Sequence, residues 1–455
     1  MRQEILDKYN IPVPRYTSYP PANFFHEGAK NEAYQEAIVT SNQANPEHIS
    51  FYVHVPFCKH LCHYCGCNSF PMMRPEVVKR YIQALHTEID KVKPLLHKGR
   101  KIAQIHYGGG SPTAMPVEVL RELNEHMLDG FETIEHPEIA IECHPGYLDE
   151  SYWQSLTEAR FTRFSLGVQD FNLQVLKTAN RRPSLLPMEV IFQILRQRGA
   201  KINMDFIYGL PFQTPESFAE TIEKAAALGP DRLVTFSYAH VPWVNKRQLI
   251  LEKAGLPAPD NKSRMYGNAK RIMQDAGYQP IGLDHFVRPD DELFTALSTH
   301  QLHRNFQGYC TRRTTGQVYA FGVTGISQLS TGYAQNNKDI QAYMEQIENG
   351  SFAVAKGYTL NRDEQITREV IDTLMCNYQL KWKVVADYLD LTIEEVKQAT
   401  AYDEQKMQAF AADGLIEWDN QSIRMTEEGT LFVRNVAASL DKLLLHSTKS
   451  FSKPV

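Results

Sequence analysis

The sequence predicts an α/β fold, an incomplete (β/α)6 barrel followed by a mainly α-helical, winged-helix-like carboxyl-terminal domain. Three observations carry this prediction. From about residue 48 to 242, short β-rich runs alternate with longer helical patterns, the arrangement of a parallel sheet wrapped by helices. Polar residues and glycines gather where those runs end, as in barrels whose loops at the strand carboxyl ends carry the chemistry. Beyond about residue 361 the alternation gives way to helical periodicity.

The strands are predicted over 49–55 (ISFYVHV), 103–107 (AQIHY), 139–143 (IAIEC), 163–169 (RFSLGVQ), 202–208 (INMDFIY) and 232–240 (RLVTFSYAH). Helical patterns fall between them near 75–93, 116–130, 149–159, 187–198 and 215–228, several opening with proline in the first turn, where its missing N–H costs nothing. A helix near 262–276, a strand near 280–284 and an irregular stretch over 285–325 follow. The end of the chain, with 411–414, 415–418, 422–425 and 426–440, reads as helix, two short strands and helix. The expected divisions are an amino-terminal arm or lid over 1–47, the barrel with its extension over 48–360, and the carboxyl-terminal domain over 361–455. The arm, with its Tyr16-Thr-Ser-Tyr-Pro-Pro21 stretch, either closes over the barrel mouth or lies on the surface.

At 455 residues the chain is too long for a single small binding module, and 43% hydrophobic with 22% charged residues is the composition of a folded protein. Lys plus Arg is 48 and Asp plus Glu is 53, a formal net charge of −5, which disfavours nonspecific nucleic-acid binding but leaves room for a local basic pocket. No signal-peptide pattern opens the sequence and no run of about 18 apolar residues occurs, so a cytoplasmic protein without a membrane span is expected. Nothing marks an oligomer interface, and a monomer is expected.

Of seven cysteines, Cys58, Cys62, Cys65 and Cys67 fall within ten residues, while Cys143, Cys310 and Cys376 are scattered. In a reducing compartment such a cluster reads as metal or redox chemistry rather than a disulfide scaffold. Cys58, Cys62 and Cys65 have the spacing C-x3-C-x2-C, three soft thiolates on one loop suited to iron–sulfur, zinc or copper(I). A structural zinc would need a fourth ligand, for which Cys67, His60 or His63 are available. The second knuckle that such sites usually carry is absent. A [4Fe–4S] cluster held by three cysteines leaves one iron open to a small molecule.

One strand later comes Gly108-Gly109-Gly110-Ser111-Pro112-Thr113, where bare backbone can approach a ligand; a tight β/α turn is the plainer reading. Glu142, Gln169, Arg181 and Asp205 are polar at or near the ends of apolar runs, as caps and surface ion pairs also are. Asp205 interrupts a strand expected to be buried on both faces, where an unpaired carboxylate is costly and needs a partner. Tyr52 and His54 fall on the same side of the first strand by alternation.

The cysteine spacing just after a strand of a β/α array resembles the signature of radical S-adenosylmethionine (SAM) enzymes. The resemblance implies that Cys58, Cys62 and Cys65 hold a [4Fe–4S] cluster, that SAM binds its open iron, and that Tyr64 is the family's aromatic residue beside the third cysteine. It also implies that Gly108, Gly109, Gly110, Ser111 and Thr113 line the cofactor's amino-acid end, and that Glu142, Gln169, Arg181 and Asp205 serve the same cofactor. Cys67 is not expected to ligate, since a fourth thiolate would close the open iron.

The runs Tyr52-Val-His54-Val-Pro-Phe-Cys58, Cys62-His-Tyr-Cys65-Gly-Cys67-Asn68, Gly209-Leu-Pro-Phe-Gln-Thr-Pro215 and His303-Arg-Asn-Phe-Gln307-Gly-Tyr309 narrow the resemblance further. So do Tyr16-Thr-Ser-Tyr-Pro20, Asp284-His-Phe-Val-Arg-Pro-Asp-Asp291 and Tyr333-Ala-Gln-Asn336. The chain resembles the oxygen-independent coproporphyrinogen III oxidases over nearly its whole length. That implies conversion of coproporphyrinogen III to protoporphyrinogen IX in haem biosynthesis, with an external electron donor and acceptor. It further implies roles for Tyr52, His54 and Gln307 in the active site, and a second SAM at Gln307 and Ile326. The substrate carries four propionates, and His285, Arg288, His303, Arg304, Arg312 and Arg313 are candidate basic groups for them. A haem-carrying chaperone and an anaerobic haem-degrading methyltransferase are the alternatives on the same scaffold; Gly66-Cys67-Asn68, which such chaperones typically lack, favours the oxidase.

Overall fold

The computed structural model describes residues 3–44, 47–311, 317–445 and 447–451. Its centre is a run of six parallel strands, β1 (Ile49–Val55), β2 (Ile102–Gly109), β3 (Thr133–Cys143), β4 (Arg163–Gln169), β5 (Lys201–Tyr208) and β6 (Arg232–Ser237), adjacent in chain order. The crossovers contain α1 (Pro75–Val92), α2 (Val117–Leu128), α3 (Glu150–Thr157), α4 (Met188–Gln197) and α5 (Pro215–Ala227). Each helix buries one stripe: on α1, Tyr81, Ile82, Leu85, Ile89 and Val92 recur at helical spacing and join the main core. Pro75 and Pro215 stand in the first turns of α1 and α5, and a Thr214 capping box with Ser217 closes the start of α5.

Both ends of this sheet are extended. Beyond β6 lie the antiparallel strands β7 (Gln279–Ile281) and β8 (His285–Val287), with β8 against β6. Beyond β1 lies β9 (Val318–Phe321), a seventh parallel strand, then antiparallel β10 (Ile326–Leu329), β11 (Gly332–Asn336) and β12 (Val354–Thr359). With the two-residue strand His26–Glu27 antiparallel to β12, the sheet has 13 strands in an open order among the described residues, so the barrel is incomplete, as expected. The stretch over 285–325 is more regular than its composition suggests. It contains β8, a helix Glu292–Ser298, the hairpin Leu302–Asn305 with Gly308–Thr311, and β9.

Burial along β4 and β5 explains the polar residues of the sequence. Outward-facing Phe164, Leu166, Ile202, Met204 and Phe206 are buried against helices, whereas Ser165, Gly167, Gln169, Asn203 and Asp205 face the barrel's hollow and are less covered. Asp205 therefore does not interrupt a strand buried on both faces; it stands on the polar face of one.

A second core gathers Ile366, Val370, Leu374, Trp382, Met407, Leu415, Phe432 and Val436, on α6 (Arg362–Asn377) and the elements after it. Asn361 caps α6 in a capping box with Glu364. The three-stranded sheet of Gln379–Lys381, Ser422–Met425 and Ile416–Trp418 gives this region its winged-helix form. The same core contains Ile5, Tyr9, Tyr16 and Tyr19 from the amino terminus. The Tyr16 and Tyr19 hydroxyls donate to Asp441 at 2.8 and 3.2 Å, so the arm is anchored rather than loosely applied. Among the described residues no helix is long and apolar enough to cross a membrane.

Candidate active site

The cysteine loop leaves β1 at its carboxyl end and is fixed from several elements. Phe70 N–H donates to Pro56 O at 2.7 Å and Met72 N–H to Cys58 O at 2.8 Å, closing the loop on itself. Its carbonyls are held from outside: Asn180 Nδ2 donates to Leu61 O at 2.9 Å, Gln248 Nε2 to Tyr64 O at 3.1 Å and Asn245 Nδ2 to Cys65 O at 2.6 Å. Cys62 is buried, Cys58 and Cys65 are half-buried, and Cys67 is exposed. Burial pushes the Cys58 thiol up to about 12, whereas the hydrogen bond from Cys67 brings Cys65 down to about 6. Among the described residues no three His, Cys, Asp or Glu side chains are gathered closely enough for a single metal ion.

The glycine run lies directly against this loop. Gly110 N–H donates to Val55 O at 2.8 Å and Ser111 N–H to Phe57 O at 3.0 Å. Each glycine leaves space beside a different site residue. A Cβ on Gly108 would stand 2.7 Å from Glu142 Oε1, on Gly109 2.7 Å from the His54 ring, and on Gly110 3.0 Å from Cys58 Sγ. Gly109, at φ +114°, also has a backbone that side chains rarely adopt. Thr113 Oγ1 lies 3.3 Å from Ser111 Oγ and accepts from His144 N–H at 3.3 Å.

On β1 the Tyr52 hydroxyl lies 3.0 Å from His54 Nδ1, and His54 Nε2 lies 3.0 Å from the Asn68 carbonyl. A carbonyl only accepts, so Nε2 carries the proton and Nδ1 accepts from Tyr52. Burial pushes the imidazole below its ordinary value, in keeping with this neutral tautomer. His106, stacked on Tyr52, places Nε2 3.2 Å from Glu142 Oε1. Arg181 donates to the Gly167 carbonyl and sets Nη1 3.5 Å from Cys62 Sγ. Gln169 closes β4 at φ +71°, and its buried Oε1 has no hydrogen-bond partner among the described residues.

Asp205 accepts from Ser165 Oγ at 2.8 Å, a partner within the protein that the sequence pattern does not reveal. Burial still raises its carboxyl to about 6, against that hydrogen bond. His144, which carries no motif, lines a small hollow with Cys58, Ser111, Thr113 and Tyr147. Its buried Nε2 has no hydrogen-bond partner among the described residues, and burial next to Arg181 keeps the ring neutral. The one available sequence signal was its place after the end of a strand, beside Cys143.

Gln307 sits at the tip of the hairpin, its N–H on Asn305 Oδ1 at 2.9 Å. Ile326 opens β10 and packs in a cluster with Phe25, Tyr333, Leu360 and Phe306. Tyr64 packs against Val175, Leu210, Tyr238 and Leu251. Arg312 and Arg313 lie outside the described residues.

Three thiols on one loop, a glycine cradle against the first of them and polar side chains from β1 to β5 are the arrangement expected of a radical SAM enzyme. The model of the Radical SAM superfamily matches residues 52–225, and that of the HemN C-terminal domain matches 360–432. An oxygen-independent coproporphyrinogen III oxidase of Escherichia coli K12 is 38% identical over 445 residues, 97% of this chain and 95% of that protein. Its namesake in Synechocystis is 35% identical over 456 aligned residues, 99% of this chain and 97% of that protein. A solved structure of coproporphyrinogen III oxidase (HemN) from Escherichia coli, described as a radical SAM enzyme, superposes with a TM-score of 0.86 at 37% identity, covering 97% of this chain and 99% of that one. The chain belongs to the oxygen-independent coproporphyrinogen III oxidase family. That family implies a [4Fe–4S] cluster and SAM, and the donor set fits them: three thiols of one loop, bare glycine backbone against Cys58, and the buried Gln169 Oε1 and His144 Nε2, which have no hydrogen-bond partner among the described residues.

Proposed function

We propose that this chain converts coproporphyrinogen III to protoporphyrinogen IX without molecular oxygen, turning two propionates into vinyl groups with release of carbon dioxide. The observation that carries this is the convergence of the cysteine loop, the glycine run, Glu142, Arg181 and Asp205 at one mouth, in a chain that aligns end to end with oxidases of that name. When bound, the cluster and SAM would supply the radical chemistry needed to remove a hydrogen atom from the propionate β-carbon.

The protein's own part is placement and exclusion of water. Cys58, Cys62 and Cys65 would hold the cluster, with Cys67 outside the ligand set. Gly108, Gly109 and Gly110, with Ser111 and Thr113, would admit the amino-acid end of SAM, and Glu142 and Arg181 would hold its charged groups. Asp205 would accept from the ribose hydroxyls, Gln169 would offer its unpaired carbonyl oxygen, and Tyr64 would pack beside the cluster. Tyr52 and His54 form a fixed hydrogen-bonded pair at the carboxyl end of β1. They would face the reacting side chain. Gln307 and Ile326 would hold a second SAM molecule, one for each propionate.

Each of the two reacting propionate side chains loses carbon dioxide, a β-hydrogen atom and one electron, so the reaction needs an external one-electron acceptor as well as a donor for the cluster. A cytoplasmic monomer suits this reading. Coproporphyrinogen III deuterated at the propionate β-carbons should pass deuterium into 5′-deoxyadenosine. Turnover with unlabelled nucleoside would reject the reading.

A further inference from the structure

The basic residues that the sequence offers for the substrate's carboxylates are not equivalent in the fold. Arg288 is exposed and pairs with Asp290 at 3.3 Å, and its N–H bonds to Asp231 O near the start of β6, at the end opposite the mouth. His303 Nδ1 lies 3.7 Å from Asp372 on α6. Arg304 differs from both. It is 7% exposed, its guanidinium stands 4.9 Å above the Tyr309 ring, and its Nε and Nη1 have no hydrogen-bond partner among the described residues. Against burial, the Tyr309 ring and the charge of Asp284 keep the guanidinium protonated, while two buried N–H-bearing nitrogens without an acceptor are costly and are open to an anion.

Two further arginines from distant parts of the chain stand near it. Arg15 of the amino-terminal arm reaches Asp284 Oδ2 at 3.5 Å, and Arg434 of the carboxyl-terminal region donates to the Val13 and Pro14 carbonyls of that arm. Burial, followed by the facing charges of Arg15 and Arg304, brings the Arg434 guanidinium down to about 10. The acidic group among them is Asp284, 4% exposed, whose Oδ1 is 2.6 Å from His285 Nδ1. Arg15, at 41% exposed, lies at the rim of this group, whereas Arg304 is buried within it.

The cluster adjoins the proposed site. Gly167, Asp205, Val234 and His285 form one lateral row across β4, β5, β6 and β8. His285 meets the Tyr309 ring edge-on at 5.1 Å, and Gly308, next to Gln307, would bring a Cβ to 3.6 Å from His285 Nε2. Arg304, through Tyr309, and Arg15, through Asp284, are thus linked to His285, which lies in the same lateral row as Asp205.

We infer that Arg304, assisted by Arg15, is a subsite for one carboxylate of the tetrapyrrole substrate. This rests on the proposed function, since the anion is taken to be a propionate of coproporphyrinogen III. A planar fork suits a carboxylate, and the acidic Asp284 beside it favours a single over a double negative charge.

The test compares anaerobically reconstituted wild-type, Arg304→Gln, Arg304→Lys and Arg15→Gln proteins for binding of coproporphyrinogen III and, separately, of SAM. Loss of charge-assisted hydrogen bonds should weaken tetrapyrrole binding about tenfold to a hundredfold in Arg304→Gln. Arg15→Gln should lose less, because that side chain is 41% exposed, and Arg304→Lys should recover part of the loss. SAM affinity should stay at the wild-type value in all three. Unchanged tetrapyrrole binding in Arg304→Gln would overturn the subsite alone. Equal loss of both ligands in the glutamine and lysine variants would mark a structural role and overturn it too. A wild-type protein that binds SAM but not coproporphyrinogen III would overturn the functional reading together with the subsite.

Discussion

Replacing Gly110 by alanine should dislodge the cluster while leaving the rest of the fold in place. The added Cβ would stand 2.7 Å from both the carbonyl carbon and the oxygen of Pro56, and 3.0 Å from Cys58 Sγ. The Pro56 atoms are backbone and cannot rotate away. Ordinary contact begins near 3.4 Å, so the two segments must part by about 0.7 Å. They are tied together by Gly110 N–H on Val55 O at 2.8 Å and Ser111 N–H on Phe57 O at 3.0 Å. Relief of the overlap therefore shifts the start of the cysteine loop. Overpacking of this kind costs about 1–3 kcal/mol. The assay is thermal unfolding together with iron and sulfide content after anaerobic reconstitution, with Gly99→Ala as control because a Cβ there meets nothing within 4 Å. Gly110→Ala should lose a few degrees of Tm and a large share of its iron, and Gly99→Ala should lose neither. Full iron with a wild-type Tm in Gly110→Ala would refute the claim that bare backbone at this position sets Cys58.

Cys62→Ser should abolish both the iron–sulfur absorption and SAM cleavage, whereas Cys67→Ser should keep the cluster; loss of iron in the second variant would refute the three-cysteine assignment. Because burial raises Asp205 to about 6, acidification through that value should protonate it and weaken SAM binding, and Asp205→Asn should bind weakly at every pH; an unchanged pH profile in that variant would count against the assignment. The sign for stability is opposite: a folded value above the ordinary 3.8 means the native state gains stability as pH falls from about 6 towards 3.8, so weaker binding there is not unfolding. Asp441→Ala should leave the buried Tyr16 and Tyr19 hydroxyls without their acceptor, costing about 1–3 kcal/mol for each; thermal unfolding and proteolysis of the arm would measure it.

The parts of the fold legible in the sequence were those fixed by local pattern. β1 and β4 begin and end where alternation and apolar runs place them, because a parallel strand wrapped by helices declares itself in its own residues. β3 starts six residues earlier than its apolar run, at Thr133, since the segment Thr133–Glu138 is polar and pairs with β2 only at its two ends. β9 escaped notice because its four residues are strand by virtue of lying beside β1, more than 260 positions earlier in the chain. Cys58, Cys62 and Cys65 carry a motif, and their proposed role as cluster ligands was legible from it. Arg15, His144, Asn245 and Gln248 carry none, because their roles arise from pairings between distant segments. Arg288, Arg304 and His303 looked alike in sequence; burial and partners alone separate them.

The most direct test of the central claim is incubation of the reconstituted chain without oxygen, with dithionite, SAM and coproporphyrinogen III, followed by mass analysis of the tetrapyrrole and nucleoside products. The account predicts protoporphyrinogen IX, lighter by two carbon dioxides and four hydrogens, together with 5′-deoxyadenosine. Cleavage of SAM with the tetrapyrrole unchanged, or a tetrapyrrole heavier by a methyl group, would contradict it.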